Sequence, residues 1–354
     1  MRQILTNATI VGMVLVAQIS WANQDGKSDA SQCSNAFNMG NYTEALTVCG
    51  TLAKEGHAKA QYYLGVIYAN GLAGNRDYKE AFTWSRKSAE QGDPEGQYNV
   101  GLAYLSGQGV AQDIALAAEW FRKSAEKNVA SAQYMLGSMY ANGQGVPQDY
   151  KQAEQLYSKA ADRGHTEAVF ALGTMYAYGQ GVAQDYKQAA SLYELATKVG
   201  HVNAAYNLGV LHAYGLGTPQ DYAKALQCYT KAAEMGHVKA QYTLGMMYAA
   251  GQGAKQNFNE AASWYRKAAT QGDVKAMAGL GSLYAKGQGM TKNLTVAYAI
   301  FSVAAIYAPN LPDTRTILAA KMSKSDVEKA RQLAKELAKP GMFLQSLDAY
   351  LKGK

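Results

Sequence analysis

The chain has 354 residues, 48% of them hydrophobic and 17% charged, with a formal net charge of +7. That apolar content, with 35 glycines, only 6 prolines and 3 cysteines, excludes a disordered chain, a collagen-like chain and a disulfide-rich scaffold. Residues 23–272 are neutral, and the basic excess gathers in residues 321–354, with 8 basic and 4 acidic side chains, so no basic stripe along the body points to nucleic acid.

Residues 1–22 read as a secretory signal peptide. Arg2 precedes an apolar run at 10–19, and Ser20 and Ala22 are the small residues of a cleavage site before Asn23. The run is too short for a membrane span, and no later stretch is long and apolar enough, so the mature chain is expected to carry no transmembrane segment. The expected localisation is exported, either periplasmic or secreted.

Residues 23–56 read as an N-terminal capping hairpin. Residues 31–39 and 41–56 form a shortened repeat around the turn Gly40-Asn41, and residues 41–56 align with 77–92. Cys33 and Cys49 lie nearly symmetrically about that turn, which predicts a disulfide between them in an exported protein.

From residue 57 a period of 36 governs the chain. Gly65, Gly101, Gly137, Gly173, Gly209, Gly245 and Gly281 recur in phase and define seven units over 57–308. Each unit reads as two amphipathic helices separated by a glycine-rich turn. In the fourth, Ala168, Leu172, Met175 and Tyr176 form one stripe and Ala189, Leu192, Tyr193 and Ala196 the next, with Gly179 and Gly181 between them. Asp185 and its equivalents Asp77, Asp113, Asp149 and Asp221, with Asn257 and Asn293, stand where a second helix needs an N-terminal cap. A glycine inside a helix costs roughly 1 kcal/mol against alanine. Its recurrence at Gly173 and equivalent sites therefore predicts close approach by a neighbouring helix or ring. A single unit cannot bury its apolar face alone, so the units must stack. The predicted fold is all-α: an α/α superhelical solenoid of seven 36-residue helix-turn-helix repeats with N- and C-terminal caps.

The pattern A-x-x-x-L-G-x-x-Y-x-x-G-x-G-V-x-x-D-Y-x-x-A resembles the Sel-like repeat, a relative of the tetratricopeptide motif with a longer inter-helix turn. The resemblance covers about 250 residues and implies an adaptor rather than an enzyme. It also implies bacterial relatives at work in envelope assembly, signalling control and host-cell interaction. Departures from the pattern are Gly71–Gly74 in unit one, His212 in place of tyrosine in unit five, and Ala278 and Ala308 in unit seven.

Residues 309–354 read as a C-terminal helical cap and basic tail. Pro309 and Pro312 end the array, and Ser325-Asp326-Val327-Glu328 resembles a capping box opening a helix over 325–339. Val327, Ala330, Leu333, Ala334 and Leu337 form its apolar stripe, and 342–354 is read as a short, fraying helix.

Chemistry is sparse. His57, His165, His201 and His237 each open a unit, but equivalent sites on stacked helices lie roughly 10 Å apart, too far to share a metal ion. Ser124 and Lys127 match S-x-x-K without the partner motifs of a serine acylase, although some cysteine-rich relatives have been described as penicillin-binding or β-lactamase-like. No catalytic residue, cofactor or metal is expected. Cys228 shares a column with Trp84, Trp120 and Trp264 and reads as a packed thiol.

Binding is expected on the first helices, which line the concave face of a helical-hairpin solenoid. The stripe opposite the core takes positions 3, 7, 10 and 14 of each unit. Its candidate contacts are Tyr63, Asn99, Met135, Asn142, Tyr178, Asn207, Tyr214 and Met246. Amides suit the backbone of an extended peptide, and rings and thioethers suit its side chains. The expected function is an exported scaffold that binds a protein or peptide through this groove, in cell-envelope or host-interaction processes. The alternatives are an envelope polysaccharide or peptidoglycan binder and, less favoured, a β-lactamase-like enzyme. The sequence leaves the oligomeric state open.

Overall fold

A computed structural model describes residues 30–308 and 314–353, and every regular element among them is a helix. The predicted signal peptide and the two prolines after the array lie outside the described residues. An N-terminal hairpin of α1 (Ala30–Asn38) and α2 (Tyr42–Lys54) is followed by seven helix pairs. These are α3 (Ala58–Asn70) with α4 (Tyr78–Glu90), α5 (Pro94–Ser106) with α6 (Ile114–Glu126), α7 (Ala130–Asn142) with α8 (Tyr150–Ala161) and α9 (Thr166–Tyr178) with α10 (Tyr186–Lys198). The last three are α11 (Val202–Tyr214) with α12 (Tyr222–Glu234), α13 (Val238–Ala250) with α14 (Phe258–Thr270) and α15 (Val274–Lys286) with α16 (Leu294–Tyr307). At the C-terminal end stand α17 (Thr314–Ala319), α18 (Lys324–Leu337) and α19 (Phe343–Leu351).

Each boundary has a local cause. Asp185 accepts hydrogen bonds from the amides of Lys187 and Gln188, and Asp77, Asp113, Asp149, Asp221, Asn257 and Asn293 cap their own second helices in the same way. Such a cap contributes about 1 kcal/mol. Gly179 ends α9 in the left-handed region at φ +68°, its amide donating to the Met175 carbonyl. Gly181, at φ +72°, leaves no room for a side chain: a Cβ there would stand 2.7 Å from the backbone of Tyr150, at the start of the preceding unit's second helix. The turn therefore sets the spacing between units as well as ending a helix.

The core runs continuously along the stack. Ala117, Ala153, Ala189, Ala225, Ala261 and Ala297 are completely buried. The in-phase glycines of the first helices face large rings of the second: Gly101 meets Phe121, Gly137 Tyr157, Gly173 Tyr193, Gly209 Tyr229, Gly245 Tyr265 and Gly281 Phe301. Buried glutamines stitch neighbouring units together. The Nε2 groups of Gln61, Gln97, Gln133 and Gln241 donate to the carbonyls of Ala53, Ala89, Ala125 and Ala233, each in the preceding unit.

The helices at the two ends close the core. Cys33 and Cys49 form the predicted disulfide, with Cα atoms 4.9 Å apart. At the other end α18 packs on α16, burying Ala330, Leu333, Ala334 and Leu337. Three details differ from the sequence reading. The cap of α18 is Ser323, whose Oγ accepts from the Asp326 amide, and not Ser325. The short α17 lacked a periodic signal in the sequence. The terminal helix α19 is anchored, with Phe343 and Leu347 buried and Asp348 paired with Arg266.

Candidate functional site

Consecutive first helices touch one another at α1 and α3, α3 and α5, and α13 and α15. No consecutive pair of second helices within the repeats makes contact to the same extent among the described residues, which supports placing the first helices on the inner side of the stack. The free stripe on that side is the candidate site.

Its columns differ in depth. At position 14, the last helical turn, Tyr178 is 70% and Tyr214 72% exposed, and Asn142 is exposed with its amide tied to the Ser138 carbonyl. Met246, at position 10, is 40% exposed. Asn99, Met135 and Asn207, at position 7, are half-buried. This column leans over the ring of the preceding unit's second helix. Asn207 and Thr174 flank the Tyr193 hydroxyl, which donates to Thr174 Oγ1 at 3.2 Å, while burial pushes the phenol above its usual pKa. Tyr63 is a correction. It is 8% exposed and stacks on Phe37 at 4.4 Å, so it belongs to the core of the N-terminal hairpin and not to the groove wall. Where later units carry Phe or Tyr behind position 7, the hairpin carries the smaller Cys49, and the Tyr63 ring turns inward.

A pocket of about 310 Å³ opens on the same stripe between units six and seven. Gly279, Ser282 and Lys286, positions 7, 10 and 14 of unit seven, form one wall. Tyr265 of α14 stands behind Gly279, and Gln256 and Gln288 lie at its margin. Sequence reasoning placed Gly279 and Lys286 in these columns but missed Tyr265, which faces the pocket from a second helix.

The other sequence candidates have structural roles. His165, His201 and His237 cap their own helices, Nδ1 accepting from the amides of Ala168, Ala204 and Ala240. Each ring also stacks on the preceding unit, on Tyr134, Phe170 and Tyr206 respectively, at 4.8, 4.3 and 4.5 Å. Among the described residues, no three His, Cys, Asp or Glu side chains gather closely enough to hold a metal ion. Ser124 is completely buried and donates to the Pro94 carbonyl, while Lys127 donates to the carbonyl of Gly92. The S-x-x-K pair therefore serves packing, Ser124 tying the two helices of its own unit and Lys127 reaching the preceding unit. His212 is half-buried beside Thr218 Oγ1, 3.2 Å from Nδ1. Cys228 is half-buried, its thiol pushed up to about 11 by burial and so protonated at neutral pH.

In-phase helix pairs, buried small-residue columns and a side-chain-lined inner face define a tandem-repeat solenoid of the scaffold type. The Sel1 repeat profile matches residues 58–93, 94–129, 130–165, 166–201, 202–237, 238–273 and 274–305, and the chain belongs to the Sel1 repeat family. A Sel1 repeat protein from Oxalobacter formigenes is 30% identical with a TM-score of 0.63, the match covering 69% of this chain and 97% of that one. A protective antigen present in uropathogenic Escherichia coli strains, displaying an SLR fold, is 26% identical with a TM-score of 0.42, covering 90% and 93% of the two chains. No curated protein matches the chain. Sel1 repeat proteins are generally protein–protein interaction scaffolds without enzymatic activity. No helix among the described residues is long and apolar enough to cross a membrane.

Proposed function

We propose that this protein is an exported scaffold that holds an extended segment of a protein partner along the inner face of its first helices, in a cell-envelope or host-interaction process. The observation that carries the reading is the pair Tyr178 and Tyr214. The two large rings occupy the same column of adjacent units, each at least 70% exposed on an otherwise well-packed wall. Tyrosine offers apolar area and a hydroxyl at small entropic cost, which is why it dominates many binding hot spots. The Cys33–Cys49 bond suits an oxidising compartment, and Ser20 and Ala22 support cleavage before Asn23. N-terminal sequencing of the exported form checks that cleavage; a mature protein still beginning at Met1 contradicts it.

The test of the groove is selection of binders from a displayed library of random peptides, followed by calorimetry on Tyr178→Ala/Tyr214→Ala. The double variant should weaken binding by about 2 kcal/mol or more, roughly 30-fold. Melting should change little. A collapse of melting would make the rings part of the core, and unchanged affinity would move the groove elsewhere. A library that yields no binder, while peptidoglycan fragments bind, would favour the polysaccharide reading.

A further inference from the structure

The pocket between units six and seven differs in one respect from the equivalent place between units four and five. At Tyr193 the ring hydroxyl is taken up by Thr174 at position 10 of its own unit, with Asn207 at position 7 of the next. At Tyr265 the same two places hold Met246, whose thioether is at most a weak acceptor, and Gly279, which has no side chain. A Cβ on Gly279 would stand 2.8 Å from the Tyr265 Cζ, the carbon that bears the hydroxyl, so the missing side chain is what leaves this end of the ring uncovered. Tyr265 is only 6% exposed, lines the pocket, and makes no hydrogen bond among the described residues. The Tyr265 hydroxyl is not one of the buried polar atoms left without a partner, so this end of the ring opens into the pocket and is free to donate to a ligand there.

The loops at the mouth of the pocket carry charge of one sign, the acidic residue next along the chain being Glu260 in the first turn of α14. The two segments that bound it, 249–258 and 279–294, contain Lys255, Lys286 and Lys292 and no Asp or Glu. All three lysines are exposed, and none makes an ion pair or hydrogen bond among the described residues. Burial, with a smaller contribution from Tyr242, pushes the Tyr265 phenol up to about 12, so at neutral pH it keeps its proton.

We infer that this pocket takes an acidic side chain, Asp or Glu, of the partner's peptide, with the Tyr265 hydroxyl donating to one carboxylate oxygen and the Lys286 ammonium pairing with the other. The inference rests on the peptide-groove reading and adds a specificity to it: a segment lying along the inner face places a carboxylate here. A charged acceptor strengthens a hydrogen bond and shortens it. A pocket of about 310 Å³ has room for the stem of such a side chain.

The probes are acetyl-Gly-Glu-Gly-amide and its isostere acetyl-Gly-Gln-Gly-amide, titrated into the full chain while the backbone amide resonances are followed. The Glu peptide should shift Gly279, Ser282 and Lys286 saturably, and the Gln peptide should bind about fivefold more weakly or worse. Tyr265→Phe keeps the ring and its packing, and Lys286→Gln keeps the stem. Each should weaken the Glu peptide severalfold while the rest of the spectrum stays in place, and Lys286→Gln should also flatten the salt dependence. Equal response to the two peptides, an absent saturable shift at the pocket, or unchanged affinity in both variants overturns the inference. If the pocket stays silent while displayed peptides still bind through Tyr178 and Tyr214, only the pocket assignment fails. If no displayed peptide binds at all, the groove reading itself fails.

Discussion

Gly173 lies directly against Tyr193: a Cβ added to the glycine would stand 2.9 Å from ring atom Cε1 and 3.2 Å from the Leu192 Cβ. The ring is 1% exposed and cannot move aside. Helix propensity alone would make any larger residue neutral or better than glycine here, so packing decides the sign. Gly173→Val is expected to cost roughly 1–3 kcal/mol, as overpacking does. Because a solenoid's stability is approximately a sum of local terms, the loss should appear as faster hydrogen exchange in α9 and α10 before it reaches the ends. Combining it with Tyr193→Leu should recover part of the loss, since the two residues are in contact and their effects should not add. A stabilised Gly173→Val variant would contradict the close-approach argument.

The Cys33–Cys49 bond ties α1 to α2 across a separation of 16 residues. A loop of that size contributes about 3 kcal/mol to the stability of the segment it closes. Replacing both cysteines with alanine should therefore release α1 and loosen α2, seen as proteolytic nicking and rapid exchange there. Units three to six should keep their protection, because among the described residues the hairpin packs on α3 of unit one. Peptide mapping without reductant should recover Cys33 linked to Cys49 and Cys228 as a free thiol. Recovery of all three as thiols from an oxidising preparation would refute the pairing.

The repeat was legible because one constraint recurs: Gly173 and its equivalents are held by the same ring contact in six of the seven units, and the sequence repeats with that contact. What was not legible depends on relations between units. Tyr63 shares a column with Asn99 and Met135, yet it is buried because Phe37 and Cys49 replace the full-sized unit behind it. Tyr265 looked like any core ring; only the register of α15 against α14 brings Gly279 over its hydroxyl end. Ser323 and Ser325 both stand three residues before an acidic side chain, and the pattern alone does not choose between two overlapping capping boxes. Along the groove stripe, position 14 is fully outside and position 7 only half so, a gradient that follows from the lean of each first helix over the preceding unit.

The histidines that open the units predict a pH dependence of stability. His165 and His237 each accept a backbone amide hydrogen bond at Nδ1, which needs that nitrogen unprotonated, and each stacks on a ring of the preceding unit. Burial lowers both imidazoles below the usual 6.5; nearby Glu167 pulls His165 partly back, and Lys239 lowers His237 further. A base whose folded pKa lies below its unfolded value binds its proton more readily in the unfolded chain. Stability is therefore complete above pH 6.5 and is lost as the pH falls through 6.5 toward the folded values. Asparagine can cap a helix without titrating, as Asn257 does for α14. In His165→Asn/His237→Asn the melting temperature should fall less between about pH 7.5 and 5.5 than in the parent chain, over a window above ordinary carboxylate titration. Some slope should remain, because burial also lowers His212. Equal slopes in the two proteins would show that the caps survive protonation and that the histidines serve the stack through their stacked rings alone.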